Sequence, residues 1–87
     1  MQIEEINKLL WQHDLMGTCC NQIAGMENEY WACADGIAKL LQSGTDFEQA
    51  IHTTFDESFW EDCLKSSPRQ DRLQALLDHV KLQQGAL

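Results

Sequence analysis

A small all-α domain, a bundle of four or five helices, follows from three features of this 87-residue sequence. Apolar residues recur at three- and four-residue spacing in several separate stretches. Residues that favour strands are few, and no stretch alternates apolar with polar. Turn and cap residues fall between the helical stretches rather than inside them. No repeat, low-complexity segment or interdomain linker interrupts the pattern, so residues 1–87 are expected to fold as one domain.

The stretch from Met26 to Gln42 is expected to be the central helix of that bundle. Met26, Tyr30, Cys33, Ile37 and Leu40 or Leu41 recur on one helical face. Trp31, Ala34 and Ala38 form a second apolar wall beside it, leaving Asn28, Asp35, Lys39 and Gln42 on the far side. Two walls imply contact with two or more neighbours.

The other elements are read in order. A first helix is expected from Gln2 to about Gln12, on the stripe Ile3, Ile6, Leu10 with Leu9 and Trp11 at its edges. Glu4 and Glu5 suit the positive end of its dipole, and Glu4 to Lys8 is an i, i+4 pair contributing about 0.2–0.5 kcal/mol. The segment from His13 to Gly25 is the least regular, with Gly17 a candidate helix stop. It is long for a bundle connection and is the first place to look for function. The central helix should stop before Ser43-Gly44. A third helix should start at Thr45, with Thr45 as N-cap and Glu48 closing a capping box, and carry the stripe Phe47, Ile51, Phe55. A break near Asp56 followed by a short helix to about Leu64 is expected. Ser67 as cap, Pro68 at the first position and Gln70 mark the start of the last helix. Leu73, Leu76, Leu77 and Val80 form its stripe, and fraying is expected by Gln84-Gly85.

Composition narrows the partners. The chain carries 14 acidic against 6 basic residues, a formal charge of −8. Duplex DNA and anionic membrane surfaces repel such a field, so neither nucleic acid nor membrane is an expected partner. A basic protein is the natural complement, although acidity also serves solubility. Apolar runs are too short to span a membrane. Residues Met1 to Ile6 lack a basic region followed by an apolar core, so no secretory signal is expected and a cytoplasmic location is. Cys19, Cys20, Cys33 and Cys63 are then expected as free thiols. Cys33 and Cys63 fall on apolar faces, where free Cys behaves as a small hydrophobe.

Catalytic constellations are weak. The cysteines together with His13, His52 and His79 offer zinc-ligand types, but no Cys-x-x-Cys or His-x-x-x-His spacing is present. No metal and no cofactor are expected. His13 and Asp14 precede Cys19 and Cys20 within one loop region, but a thiol nucleophile needs a base held in place by a third group. Paired acids such as Glu27/Glu29, Asp56/Glu57 and Glu61/Asp62 read as solvated helix ends, not as an acid–base pair in a cleft. The glycines fit no phosphate-binding fingerprint. An enzyme is the least expected reading.

The aromatics carry more. Trp11, Trp31 and Trp60 are many for 87 residues, and tryptophan is enriched at binding hot spots. Trp31 and Trp60 lie off their main stripes, so both are expected to be partly exposed. With His13 and Asp14 from the long loop, Trp11, Trp31 and Trp60 form the candidate interaction surface.

Leu9-Leu10-Trp11-Gln12-His13-Asp14-Leu15-Met16-Gly17, followed by Asn28-Glu29-Tyr30, resembles a family of small bacterial helical domains of unknown function. That family shows Leu-x-x-Trp-Asp-Pro-x-Gly near the N-terminus, then Asp-Glu-Tyr-Asp opening a long helix that ends in Leu-x-x-Gly. Here His13-Asp14-Leu15 stands for the Trp-Asp-Pro element, Asn28-Glu29-Tyr30-Trp31 for the acidic-Tyr element, and Leu40 to Gly44 for the helix end. The likeness covers Leu9 to Gly44, lacks the proline and has Trp31 in place of an acid. It implies a helical fold, no known catalysis, and kinship with acidic bacterial accessory or immunity proteins of mobile elements, including integron cassettes. At those positions Asp14 could brace the start of the second helix and Tyr30 could hydrogen-bond into the loop. The expected function is therefore non-enzymatic protein contact, as a monomer or homodimer. The alternative is a small-molecule module with its pocket between the 13–25 loop and Trp31.

Overall fold

The computed structural model describes residues 2–17 and 28–85. They form four helices: α1 (Ile3–His13), α2 (Trp31–Gln42), α3 (Phe47–Ser58) and α4 (Arg69–Gly85). No strand occurs among the described residues. In space the helices follow the order α3, α2, α1, α4: α2 packs on α1 and α3, and α1 packs on α4. Both α1 and α2 thus have two neighbours. None of the described helices is long and apolar enough to cross a membrane.

The expected stripes supply the core. Ile6 and Leu10 of α1, Ile37 of α2, Ile51 and Phe55 of α3, and Leu76 of α4 are all fully buried. Leu9, Leu73, Leu77 and Val80 complete it, with Ile3, Trp11, Ala38, Leu40 and Leu41 packed at its edge. Ala34 is buried completely, while Trp31 on the same wall is not. Gly36 of α2 faces Thr54 of α3: a Cβ there would lie 3.1 Å from the Thr54 methyl.

The ends of the helices correct several expectations. Helix α1 ends at His13 with Asp14 as its C-cap: Asp14 adopts a left-handed conformation (φ 46°, ψ 60°) and its amide bonds to the Leu10 carbonyl at 2.8 Å. Aspartate tolerates this region better than most residues. Gly17, at φ +70°, closes the turn that follows, its amide 2.9 Å from the Asp14 carbonyl. Helix α2 begins at Trp31 rather than within 26–30. Asn28, Glu29 and Tyr30 form a turn, and the first helical bond runs from the Ala34 amide to the Tyr30 carbonyl. Met26 lies outside the described residues. The α3 cap is Asp46, one residue later than Thr45; its carboxylate accepts from the Gln49 amide at 3.4 Å.

No short helix follows α3. Phe59 leaves helical geometry (φ −119°, ψ −86°), and the Asp56 carboxylate takes the Asp62 amide at 3.1 Å. A side chain that binds backbone in this way competes with the helical ladder. Residues 60–65 then fold as successive turns, with Asp62 itself at φ 60°. Helix α4 starts at Arg69, one residue beyond Pro68, and runs to Gly85. The Glu4–Lys8 pair does not close; the i, i+4 ion pair that does is Asp35–Lys39, at 2.9 Å on the surface of α2.

Candidate interaction surface

At the Phe59–Trp60 corner two large apolar side chains adjacent in the chain meet solvent, as Trp31 and Leu82 also do. The α3 helix delivers Phe55 into the core and ends one turn later, so Phe59 continues the aromatic row outward. Tyr30 stacks on Phe55 (6.0 Å between centroids), Phe55 meets Phe59 at a tilt (5.3 Å), and Phe59 meets Trp60 edge to face (6.5 Å). The inner members are buried, whereas Phe59 is 41% and Trp60 51% exposed. Arg69, in the first turn of α4, holds the outer end. Its guanidinium carbon lies 5.2 Å from the Trp60 ring and its Nε donates to the Cys63 carbonyl at 2.7 Å. A cation over an indole face adds about 0.5–1 kcal/mol at an exposed site. The ring is therefore presented to solvent and anchored at once.

Charge around this corner is of one sign in sequence. Asp56, Glu57, Glu61 and Asp62 fall within seven consecutive residues of the corner. Lys65 is drawn to Asp62 at 3.0 Å, and Arg69 is committed to Trp60 and Cys63.

The five expected surface residues are not brought together as one patch. Trp60 is the most exposed of them, and Trp31 is 40% exposed. Trp31 opens α2 at the end of the bundle where α3 finishes, since Cys33 is hydrogen-bonded with Ser58. Among the described residues no ring contact joins Trp31 to Trp60. Trp11 is half-buried against the core. His13 is half-buried against His79, and Asp14 is buried. Asp14 is a bracing residue rather than a docking one: Tyr30 Oη donates to its Oδ1 at 2.8 Å and accepts from the Met16 amide at 3.0 Å. Phe59 was the residue to add. Its position in the chain carries no sign of exposure, because it would be interior if α3 had continued.

Buried thiols lie behind this surface. Cys33 and Cys63 are free and buried. Burial pushes the Cys33 thiol above its ordinary value, outweighing the hydrogen bond with Ser58. Burial does the same at Cys63, whose Sγ lies 3.6 Å from the Phe55 carbonyl. A raised thiol pKa disfavours the thiolate, so neither is an activated nucleophile. Cys19 and Cys20 lie outside the described residues.

Helices α3 and α4 leave a trough between them. It consists of two hollows of about 610 and 440 Å³ that share Glu48, Gln74 and Leu77. Leu41, Phe47 and Val80 line the larger, and Leu64 and Leu73 the smaller. Neither reaches Trp31, and residues 18–25 of the pocket expected beside it lie outside the described residues. No family model, curated protein or solved structure matches this chain.

Proposed function

We propose that this chain works by protein–protein contact, as a non-enzymatic accessory or immunity-like protein, with the Phe59–Trp60 corner as its anchor. The observation that carries the reading is a pair of large aromatic side chains, each about half exposed, in a segment rich in acids. Aromatic anchors with a charged rim are the usual anatomy of an interface hot spot. The matching partner offers an apolar socket ringed by lysine or arginine. A second copy of this chain matches less well, because each copy brings a charge of −8 and like charges meet across the contact.

Affinity capture with the wild type, against Trp60→Ala and Phe59→Ala variants whose thermal unfolding is unchanged, tests the reading. A partner held by the wild type and bound at least about tenfold more weakly by each variant is expected, as for truncation of a hot spot. Raised salt should slow its association. A partner held equally by all three proteins would remove the corner from the interface. The trough between α3 and α4 favours a second reading, an apolar small molecule held between those helices. Gln74→Trp, at an exposed residue that lines both hollows, would block such binding and leave the corner intact.

A further inference from the structure

Two histidines from distant parts of the sequence meet on the α1–α4 side of the bundle. His13 occupies the last turn of α1 and His79 lies within α4. Their ring centroids are 5.6 Å apart and their planes are inclined at 77°. Both rings are half-buried, so the pair keeps access to solvent. The helices that carry them are fixed by core residues on either side: Leu10 on α1, Leu76 and Val80 on α4.

We propose that His13 and His79 form a two-imidazole binding site for a divalent transition-metal ion such as Zn²⁺, with water completing the coordination. The spacing fits. A Zn–N bond of about 2.0–2.1 Å puts each ring centroid roughly 3.2 Å from the ion and the two centroids roughly 5.2 Å apart at the tetrahedral angle. The observed separation exceeds this by a few tenths of an ångström, within reach of side-chain rotation. The rings form a T-shaped pair, so rotation of a ring about its side-chain bonds is what brings one nitrogen of each to a shared ion. Imidazole suits zinc and its neighbours in the transition series. Binding also needs the neutral ring. Among the described residues no group of three or more His, Cys, Asp or Glu could hold an ion, so the site is open rather than a closed structural one. Occupancy would pin the end of α1 to α4 and stabilise the fold by mass action.

Titration of the reduced full-length protein with Zn²⁺, followed by calorimetry and by histidine side-chain NMR, tests the site. One equivalent should bind, and the His13 and His79 imidazole signals should move together while those of His52 stay in place. His13→Gln and His79→Gln should each weaken binding by at least the about tenfold that loss of an outer-shell partner costs, and His52→Gln should not. The same titration on a Cys19→Ser/Cys20→Ser variant separates imidazole from thiol capture. Imidazole signals that do not move, binding that survives either His13 or His79 substitution, or binding that depends on the thiols alone overturns the proposal. The NMR readout uses the wild type, so it holds even if a variant fails to fold.

Discussion

The Tyr30 hydroxyl sits where three pieces of chain converge. It donates to the Asp14 carboxylate that ends α1, accepts from the Met16 amide in the following turn, and its ring stacks on Phe55 of α3. Tyr30 is 1% and Asp14 8% exposed, so water replaces a lost bond poorly. Tyr30→Phe keeps the ring and removes the hydroxyl. It should cost about 1–3 kcal/mol, the penalty for leaving buried polar groups short of a partner, read as a lower urea midpoint at unchanged slope. Asp14→Ala should cost a similar amount, since it also loses the residue that tolerates left-handed backbone. The double variant should lose less than the sum of the two; strict additivity would show that the pair does not act as a unit. The buried thiols give a pH prediction at the same scale. Cys33 and Cys63 have raised pKa values in the fold, so in alkali the unfolded chain ionises first and binds fewer protons than the native one. Stability is then fully present below about pH 8.5, the ordinary thiol value, and falls as pH rises through the folded values. Chemical denaturation at pH 7.5 and 9.5 should show the loss, and a Cys33→Ala/Cys63→Ala variant should flatten it.

At the scale of elements, α2 and α3 are held close by the absence of a side chain. Gly36 faces Thr54, and a methyl placed there would stand 3.1 Å from the Thr54 Cγ2. Gly36→Ala sets a gain in helix propensity of about 1 kcal/mol against that crowding, so its net effect is small. Gly36→Leu forces the helices apart and should destabilise by about 1–3 kcal/mol, the range for overpacked interiors. Thermal unfolding of Gly36→Leu with and without Thr54→Ala checks the cause: relief in the double variant locates the clash at this crossing, and its absence places it elsewhere.

For the molecule as a whole, the helix order α3, α2, α1, α4 is an array with little or no direct packing between its outer members. The trough between α3 and α4 is the opening that results. The aromatic corner lies in the connection from α3 to α4, and neither Phe59 nor Trp60 lines the trough. A charge of −8 in a body with a radius of gyration of 12.3 Å extends over the surface about one Debye length, some 8 Å at physiological salt. A basic partner of the kind proposed above would feel that field before contact at Phe59 and Trp60.

The all-helical class and most of the buried residues are legible in sequence, because a 3.6-residue period in Ile6, Leu10, Ile37, Ile51, Phe55, Leu76 and Val80 records which side of each helix leaves water. A bracing role for Asp14 and a hydrogen bond from Tyr30 into the loop are each expected from sequence, but the bond between the two is seen only in the fold. Helix ends are not. Whether Asp46 or Thr45 caps α3, and whether Asp56 turns the chain at Phe59, depend on single hydrogen bonds that compete within about 1 kcal/mol. The candidate site divides in the same way. Trp31 and Trp60 fall off their stripes and are exposed, as periodicity implies. The exposure of Phe59, the burial of Asp14 and the meeting of His13 with His79 were decided only by tertiary structure. Each depends on where one helix stops or on which helices become neighbours, and local spacing records neither.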